Sequence, residues 1–331
     1  MVRKHARKSD ARRARALETT HRQALARSNS KRRIPTSLTG LDALLLGGLR
    51  PGRLTVVAAR TAMGKSKLAL AMARNCAIRE ERPALIASLE MGRRELWERL
   101  MAAESGVPGE LIGYRTCSED HLQKLRATAL ELDRRQAPLD LGGDGSVPTV
   151  DDIAAECERA YRRYGRLDLV VVDYLGLMRS ASHVGSRLTD RHAEIAGIVL
   201  ALQDVASRFR VAVVVVEQLT RAVAERDDHR PRLEDMWHAE QLLGCAEAVI
   251  LLHRDEYYTD RGHHAVYGRS PDPQLYPEHW FPRRGLPEPV VQQAELHVAF
   301  HRHGPTGVVP VGVDLSRSRF FDLPTATVSV S

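Results

Sequence analysis

One short loop limits the possible folds of this chain more than any other feature. The segment from Ala59 to Ser66 reads Ala-Arg-Thr-Ala-Met-Gly-Lys-Ser, and it lies between an apolar strand, Leu54–Ala58, and a helical stretch, Lys65–Arg79. This is the G-x-x-x-x-G-K-[ST] phosphate-binding pattern with Ala in its first position. Backbone N–H groups of such a loop wrap around a phosphate, so little side-chain bulk is tolerated where Gly64 stands. The sequence therefore predicts a nucleotide phosphate site between a strand and a helix.

All eight loop residues are candidate nucleotide contacts: Ala59, Arg60, Thr61, Ala62, Met63, Gly64, Lys65 and Ser66. Lys65 is expected to reach the β- and γ-phosphates of ATP, and Ser66 to offer a hydroxyl to Mg²⁺. Of the 49 basic residues only six are Lys, and beyond residue 31 these are Lys65, Lys67 and Lys124. A Lys kept in so Arg-rich a chain suggests a chemical requirement. The alternative is a chance Gly-Lys-Ser, which its place between strand and helix disfavours.

Further apolar runs predict a mostly parallel α/β sheet with helices on both faces, because the runs are continuous and alternate with helical segments. They are Ala84–Leu89, Leu167–Val172, Val211–Val216 and Ala248–Leu252. Three shorter runs near the C-terminus, Glu295–Phe300, Val308–Val313 and Arg319–Phe321, predict an antiparallel extension. Between the two groups, residues 259–293 are Pro-rich and without periodicity, which is typical of a surface insertion.

Three polar residues follow these strands and are candidates for chemistry at the phosphate site. Asp173 ends a buried strand and could hold Mg²⁺ directly or through water. Glu90 follows the second strand and could polarise an attacking water, and Gln218 could sense the γ-phosphate. Taken alone, Glu90 is better explained as an ordinary helix N-terminal acid and Gln218 as an ordinary strand-end residue.

The charge of the chain is concentrated at its N-terminus. The first 35 residues hold twelve Lys or Arg and two acids, whereas the chain as a whole has a net charge of +7. Residues 1–33 are therefore predicted to form a basic tail or linker helix, with a weak mitochondrial presequence as the alternative. Four scattered cysteines and the lack of any long apolar run favour a cytoplasmic protein with reduced thiols and no membrane contact. Aromatic residues make up 5% of the chain, which argues against a fold built on base-stacking platforms.

A series of short motifs resembles the motor domain of the DnaB-type replicative helicases. The series comprises Thr39-Gly40-Leu41-Asp42, the loop Ala59–Ser66, Ser88-Leu89-Glu90-Met91, Val172-Asp173-Tyr174-Leu175, Gln218-Leu219, Arg254-Asp255-Glu256 and His301-Arg302-His303-Gly304-Pro305. The resemblance implies a RecA-like P-loop NTPase fold over residues 34–325. It also implies a homo-oligomeric ring, usually a hexamer, which hydrolyses ATP with Mg²⁺ and moves along single-stranded DNA, and which has primase or a helicase loader as possible partners.

The resemblance assigns roles to individual residues. Lys65 and Ser66 are expected to bind phosphate and Mg²⁺, Asp173 to serve the metal, and Glu90 to activate water. Gln218 is expected to couple nucleotide state to DNA, Arg254 to contact the nucleotide, and Arg302 to be an arginine finger that reaches a neighbouring subunit. Taken alone, Arg302 is an ordinary surface Arg. Two segments, Arg179 to Arg191 and Arg221 to Arg232, are candidate DNA contacts or, equally, solvated charged loops.

Four departures from the family pattern limit what the resemblance implies. Phe300 stands where the family has a Lys, and Glu217 replaces the usual Ser before Gln218. Leu242-Leu243-Gly244 stands where an Ile-Glu-Gln stretch is expected, and the basic tail stands where the family has a large helical domain. These changes affect coupling and assembly rather than the phosphate loop. They leave open a second hypothesis, in which a nucleotide-switched DNA-binding or assembly ATPase of the RecA superfamily hydrolyses slowly and does not unwind DNA processively.

Overall fold

The computed structural model describes residues 33–142, 149–179, 191–258 and 292–323, together with a short strand at 329–330. Within these ranges the chain folds around a ten-stranded sheet, of which six strands are parallel. The parallel strands are β1 (Leu54–Ala59), β2 (Ala84–Ser88), β3 (Leu139–Leu141), β4 (Leu169–Asp173), β5 (Ala212–Gln218) and β6 (Ala246–His253). Their order, β3-β2-β4-β5-β1-β6, places β1 between β5 and β6.

Antiparallel strands extend the sheet beyond β6. They are β7 (Gln292–His301), β8 (Gly307–Asp314), β9 (Arg319–Asp322) and β10 (Ser329–Val330). β7 pairs with β6 and β8, while β9 and β10 pair with β8. In β7 every second residue is buried, at Ala294, Leu296 and Val298, as expected for a strand with one covered face.

Helices cover both faces of the sheet. They are α1 (Thr39–Leu44), α2 (Lys65–Arg74), α3 (Arg93–Ser105), α4 (Gly109–Gly113), α5 (Glu119–Arg134), α6 (Val150–Tyr164), α7 (Arg191–Phe209) and α8 (Ala239–Cys245). The first apolar cluster lies between the sheet and α1, α2 and α3, and the second lies between the sheet and α6, α7 and α8. In the described part of the chain, no helix is long and apolar enough to cross a membrane.

The sequence of β5 shows why the central strands are continuous apolar runs. Val214 and Val216 pack into the first cluster, whereas Val213 and Val215 pack into the second. Successive side chains of a strand point to opposite faces, and here both faces are covered by helices. Every residue from Ala212 to Glu217 is consequently buried.

Helix α6 shows how local sequence sets an element's limits. The Thr149 hydroxyl accepts the N–H of Asp152, and the Asp152 carboxylate accepts the N–H of Thr149, so two N-terminal donors are satisfied. Ile153 and Cys157, four residues apart, place apolar side chains on the buried face. The helix ends at Gly165, whose φ of 73° is left-handed.

The predicted α/β class, the parallel sheet and the antiparallel extension are all confirmed. One boundary prediction was wrong: residues 292–293, assigned to the Pro-rich insertion, begin β7. The edge strand β3 was missed, because three residues interrupted by Asp140 carry little strand signal. Most of the basic tail, the insertion and the first candidate DNA segment lie outside the described residues. Arg33, assigned to the tail, is buried and donates to the carbonyls of Leu45 and Gly48.

Candidate nucleotide site

The phosphate loop lies at the C-terminal edge of the parallel sheet, between β1 and α2. Ligands of open α/β sheets bind at this edge, where the strands end. Ala62 and Gly64 take left-handed backbone conformations, with φ of 64° and 108°. A Cβ on residue 64 would lie 3.1 Å from Cδ2 of Leu315. Gly64 is therefore required both by its backbone conformation and by its packing.

The end of β5 holds the loop on one side. Arg60 donates from Nη1 to the carbonyl of Leu219 at 2.9 Å. Gln218 donates from Nε2 to the Thr61 hydroxyl at 2.7 Å. The structure thus places Gln218 in direct contact with the phosphate loop, as a residue that responds to bound nucleotide must be.

The phosphate loop is also held by Arg254 and by the burial of two of its own apolar residues. Arg254 is buried and donates from Nη1 to the carbonyl of Met63 at 3.4 Å and from Nη2 to the side chain of Gln292. Within the loop itself, Ala59 and Met63 are buried. Arg254 therefore contacts the loop backbone, and its contact with the nucleotide itself stays a prediction.

Lys65 opens α2 and turns its side chain into the site. It is 7% exposed, with Nζ 3.9 Å from Oε2 of Glu90 and 5.4 Å from the ring centroid of Tyr174. An ammonium group held by one carboxylate in a mostly closed site keeps much of its field for a further anion. The first turn of α2 adds its unpaired N–H groups to the same place.

Asp173 ends β4 beside Ser66 and is buried, with 2% exposure. Burial raises the pKa of Asp173 above its usual value, while the Ser66 hydroxyl, which hydrogen-bonds to the carboxylate, and the Lys65 ammonium favour the charged form. Oδ1 of Asp173 is buried without a hydrogen-bond partner. A buried carboxylate oxygen without a partner beside a serine hydroxyl is the ligand set that fits Mg²⁺.

Glu90 follows β2 on the open side of the site. Its side chain is 49% exposed and close to Lys65. The N–H of Leu89 donates to the carbonyl of Asp173 at 2.7 Å, and the Ser88 hydroxyl accepts the N–H of Met91 at 3.0 Å, so the backbone on both sides of Glu90 is fixed. The carboxylate is accessible to water at the same sheet edge as the phosphate loop.

Glu217 was noted in the sequence only as a departure from the family pattern, and the structure shows that it is buried, with 1% exposure. Its Oε1 accepts the N–H of Gln218 at 2.7 Å, and its Oε2 has no partner. Burial raises the pKa of Glu217 to about 7, although the Gln218 N–H, Lys65 and Arg191 favour the charged form. The position of Glu217 in a strand covered on both faces predicts that its side chain is buried. Whether each carboxylate oxygen finds a partner depends on the surrounding packing.

Glu217→Gln is expected to stabilise the protein at pH 8 and to have little effect near pH 5. The folded state holds the Glu217 proton more tightly than the unfolded state, so this group's contribution falls as pH rises from about 4.5 to about 7. A shift of this size corresponds to about 3 kcal/mol at pH 8. Gln keeps the acceptor for the Gln218 N–H. Urea unfolding midpoints at the two pH values measure the difference.

The exposed Glu225 offers a matched control, since Glu225→Gln removes a carboxyl from the surface. Its midpoint should follow that of the unaltered protein at both pH values. A Glu217→Gln gain that is equal at pH 5 and pH 8 contradicts the assignment of the penalty to ionisation of this carboxyl.

Arg302 is not near this site. It follows β7 and donates to three backbone carbonyls around the C-terminus of α8, those of Leu243, Gly244 and Ala246, at 2.9 to 3.1 Å. Its guanidinium lies 5.8 Å from the ring centroid of Phe300. Phe300 packs against the second apolar cluster. The residue that replaces the family's Lys therefore serves as a support for Arg302.

The strand register fixes the distance between Arg302 and the phosphate loop. The N–H of Arg302 donates to the carbonyl of Glu247, at the N-terminal end of β6, whereas the loop follows the C-terminal end of β1. A six-residue strand is about 20 Å long. Arg302 and the loop of the same chain lie at opposite edges of the sheet, so Arg302 cannot reach its own phosphate site.

The second candidate DNA segment, Arg221 to Arg232, is less available than its sequence suggested. Arg226 forms a bidentate ion pair with the buried carboxylate of Asp235, with Nη1 to Oδ1 at 2.8 Å and Nη2 to Oδ2 at 2.6 Å. Arg230 forms another with Glu295, at 3.1 and 2.9 Å. Both guanidinium groups are engaged in holding the segment in shape.

Comparison with known proteins agrees with this geometry. Residues 33–322 match the family described as "DnaB-like helicase C terminal domain". The chain belongs to this family. The resemblance that its motifs suggested is thereby confirmed.

Relatives of the DnaB-like family include the replicative DNA helicase DnaB of Leifsonia xyli subsp. xyli, which is 36% identical over 290 residues, covering 88% of this chain and 56% of that protein. The replicative DNA helicase DnaC of Bacillus subtilis is 32% identical over 225 residues, covering 68% of this chain and 48% of that protein. The chain thus spans about half the length of the curated relatives it matches.

Solved structures confirm the RecA-like fold. The ATPase domain of G40P matches with a TM-score of 0.74 at 24% identity, covering 94% of this chain and 98% of that one. A DnaB-like replicative helicase studied with primase also gives 0.74 at 24% identity, covering 93% of this chain and 66% of that one. A KaiC-like protein of Pyrococcus horikoshii gives 0.53 at 13% identity, covering 88% of this chain and 99% of that one.

Proposed function

We propose that this chain is the ATP-hydrolysing motor of a replicative DNA helicase, and that it moves along single-stranded DNA as a ring of identical subunits, six in number by analogy with its family. The observation that carries the proposal is the division of the site between two edges of the sheet. Lys65, Asp173 and Glu90 meet at one edge, while Arg302 lies at the other. A site divided in this way is complete only where two subunits meet.

Within one subunit, each residue of the cluster has a distinct task. Lys65 neutralises charge on the β- and γ-phosphates of ATP, and Glu90, exposed beside it, orients the attacking water and accepts its proton. The Ser66 hydroxyl and Oδ1 of Asp173 are the oxygens that would hold Mg²⁺. When bound there, Mg²⁺ would supply further positive charge to neutralise the phosphates.

Three more residues complete the site, support it or transmit its state. Arg302 of each subunit reaches into the neighbouring subunit's site and neutralises charge that develops in the transition state. Gln218, bonded to Thr61, reports the state of the phosphate loop to the segment that follows β5. Arg254 holds the loop backbone in place for the nucleotide.

The polynucleotide lies against the segments that follow β4 and β5, at the same edge of the sheet as the nucleotide. Arg179, Arg221 and Arg232 are exposed there and are suited to phosphate contacts. One solved relative is described with its interactions with primase. A primase or a helicase loader is the corresponding partner proposed for this chain.

The rate of ATP hydrolysis with and without single-stranded DNA tests the proposal. A motor that tracks DNA should hydrolyse ATP several-fold faster when the strand is present, and double-stranded DNA of equal phosphate content should stimulate less. Tight DNA binding with a hydrolysis rate that does not change when single-stranded DNA is added would contradict the proposed motor function. That result would favour the nucleotide-switched assembly ATPase instead.

A further inference from the structure

A tryptophan lies exposed on a fixed backbone at the sheet edge that carries the nucleotide site. Trp237 is 51% exposed. Its backbone N–H donates to the carbonyl of Gln218 at 3.4 Å. The preceding residue, Met236, is buried and forms an antiparallel β-bridge with Leu219. The indole is therefore held outward by backbone that is anchored to the end of β5. A single exposed aromatic residue is common on protein surfaces, so what distinguishes Trp237 is its place beside the nucleotide site and the rings next to it.

A row of two histidine rings continues from this indole, with His238 next to Trp237 and His192 next to His238. The ring of His238 lies 6.5 Å from that of Trp237, and the ring of His192 lies 5.3 Å from that of His238 at 71°, an edge-to-face contact. Burial lowers the pKa of His238, and His192 and Arg191 lower it further, which favours the neutral ring. His192 belongs to the start of α7 and His238 to the segment after β5. In the sequence, these three rings, the aromatic cluster, lie just after the C-terminal ends of the two segments proposed to meet DNA.

The net charge of the sequence around the aromatic cluster is negative, so contacts with phosphates there depend on individual arginines. Residues 218–240 contain four Arg and six acidic residues. Two of the four arginines, Arg226 and Arg230, are already in ion pairs with Asp235 and Glu295. Apart from Arg221 and Arg232, this surface offers a strand an aromatic face rather than net positive charge, and stacking on an aromatic ring accepts any base.

We propose that Trp237, next to His238, is a stacking site for an unpaired base of single-stranded nucleic acid. This inference rests on the proposed function and adds to it a contact with bases, where the arginine segments offer contacts with phosphates. The backbone of Trp237 is bonded to Gln218, whose side chain is bonded to Thr61 of the phosphate loop. The stacked base is therefore two hydrogen bonds away from the nucleotide site.

The test compares two oligonucleotides of equal length, a deoxythymidine strand and an abasic strand with the same phosphates. Trp97→Phe with Trp280→Phe leaves Trp237 as the sole tryptophan. Its fluorescence should fall when the thymidine strand binds and stay unchanged with the abasic strand. In the otherwise unaltered chain, Trp237→Ala should weaken thymidine-strand binding about tenfold and leave abasic binding as it was. Trp237→Phe, which keeps an aromatic face, should recover most of the loss.

Trp97 supplies the matched control, because it is also exposed, at 42%, but lies on α3. Trp97→Ala should not alter binding of either strand. Equal weakening of both strands by Trp237→Ala, or no weakening, overturns the stacking site and leaves the motor standing. A change in oligomer mass without a change in DNA affinity assigns the indole to a subunit contact and also overturns it. Failure of the unaltered chain to bind either strand removes the proposed function itself.

Discussion

Lys65→Ala is expected to lower ATP hydrolysis by at least about a hundredfold, the range seen when a preorganised electrostatic donor is removed from a catalytic site. Lys65 is buried, and its ammonium lies 3.9 Å from Glu90. Without it, Glu90 and Asp173 remain as two carboxylates facing a polyanionic substrate with less positive charge between them. Binding of a fluorescent ATP analogue should weaken in parallel, as measured by titration beside the hydrolysis rate.

The lysines of the described chain provide the control. Lys67 donates to the carbonyl of Leu315 at 2.6 Å and supports packing, whereas Lys124 is half-exposed on α5 beside Asp120. Lys124→Ala removes the same charge from the same chain and should leave hydrolysis unchanged. Nucleotide hydrolysis by a folded Lys65→Ala protein at the rate of the unaltered chain would show that the catalytic site lies elsewhere.

Arg302→Ala is expected to lower hydrolysis about a thousandfold or more, the effect typical of losing an arginine finger. The same side chain also caps α8, so its removal leaves three carbonyls without that donor. Arg302→Gln separates the two roles, because its amide can still donate to these carbonyls but carries no charge. A thermal unfolding curve close to that of the unaltered protein, together with lost hydrolysis, identifies the charge as the cause.

A mixture of two inactive proteins decides whether Arg302 acts between subunits. In a ring assembled from Lys65→Ala and Arg302→Ala chains, some interfaces combine an intact Lys65 site with an intact Arg302 from the neighbour. Random mixing in equal amounts makes such interfaces up to about a quarter of the total. Hydrolysis should therefore reappear on mixing. A mixture that stays as inactive as its components contradicts catalysis in trans.

Local patterns were enough for most of the fold. Strand β5 was predicted from six consecutive apolar residues, Val211–Val216, and the structure extends it to Gln218. Burial on both faces demands apolar side chains at every position, so the pattern and the structure have the same cause. The strand β3 has no such signal, because its three residues are only half-buried at the edge of the sheet.

The residues of the candidate site likewise fall into those that local sequence places and those that depend on strand pairing. Residues adjoining a strand end, such as Lys65, Asp173 and Glu90, could be placed at one edge because parallel strands end together. Arg302 could not, since its distance from the loop depends on the antiparallel pairing of β7 with β6. Its role between subunits was inferred from resemblance, and the strand register supplies a physical reason for it.

The sequence by itself determined the phosphate loop, the apolar strands beside it and the family to which the chain belongs. Each of these is recognised from short motifs, and the residues of one motif are close together in the chain. Tertiary structure alone decided which charges are free. It engaged Arg226 and Arg230 in ion pairs, buried Glu217 without a partner for one oxygen, and brought His192 beside His238. Availability of a side chain depends on neighbours distant in sequence, and the local pattern does not contain them.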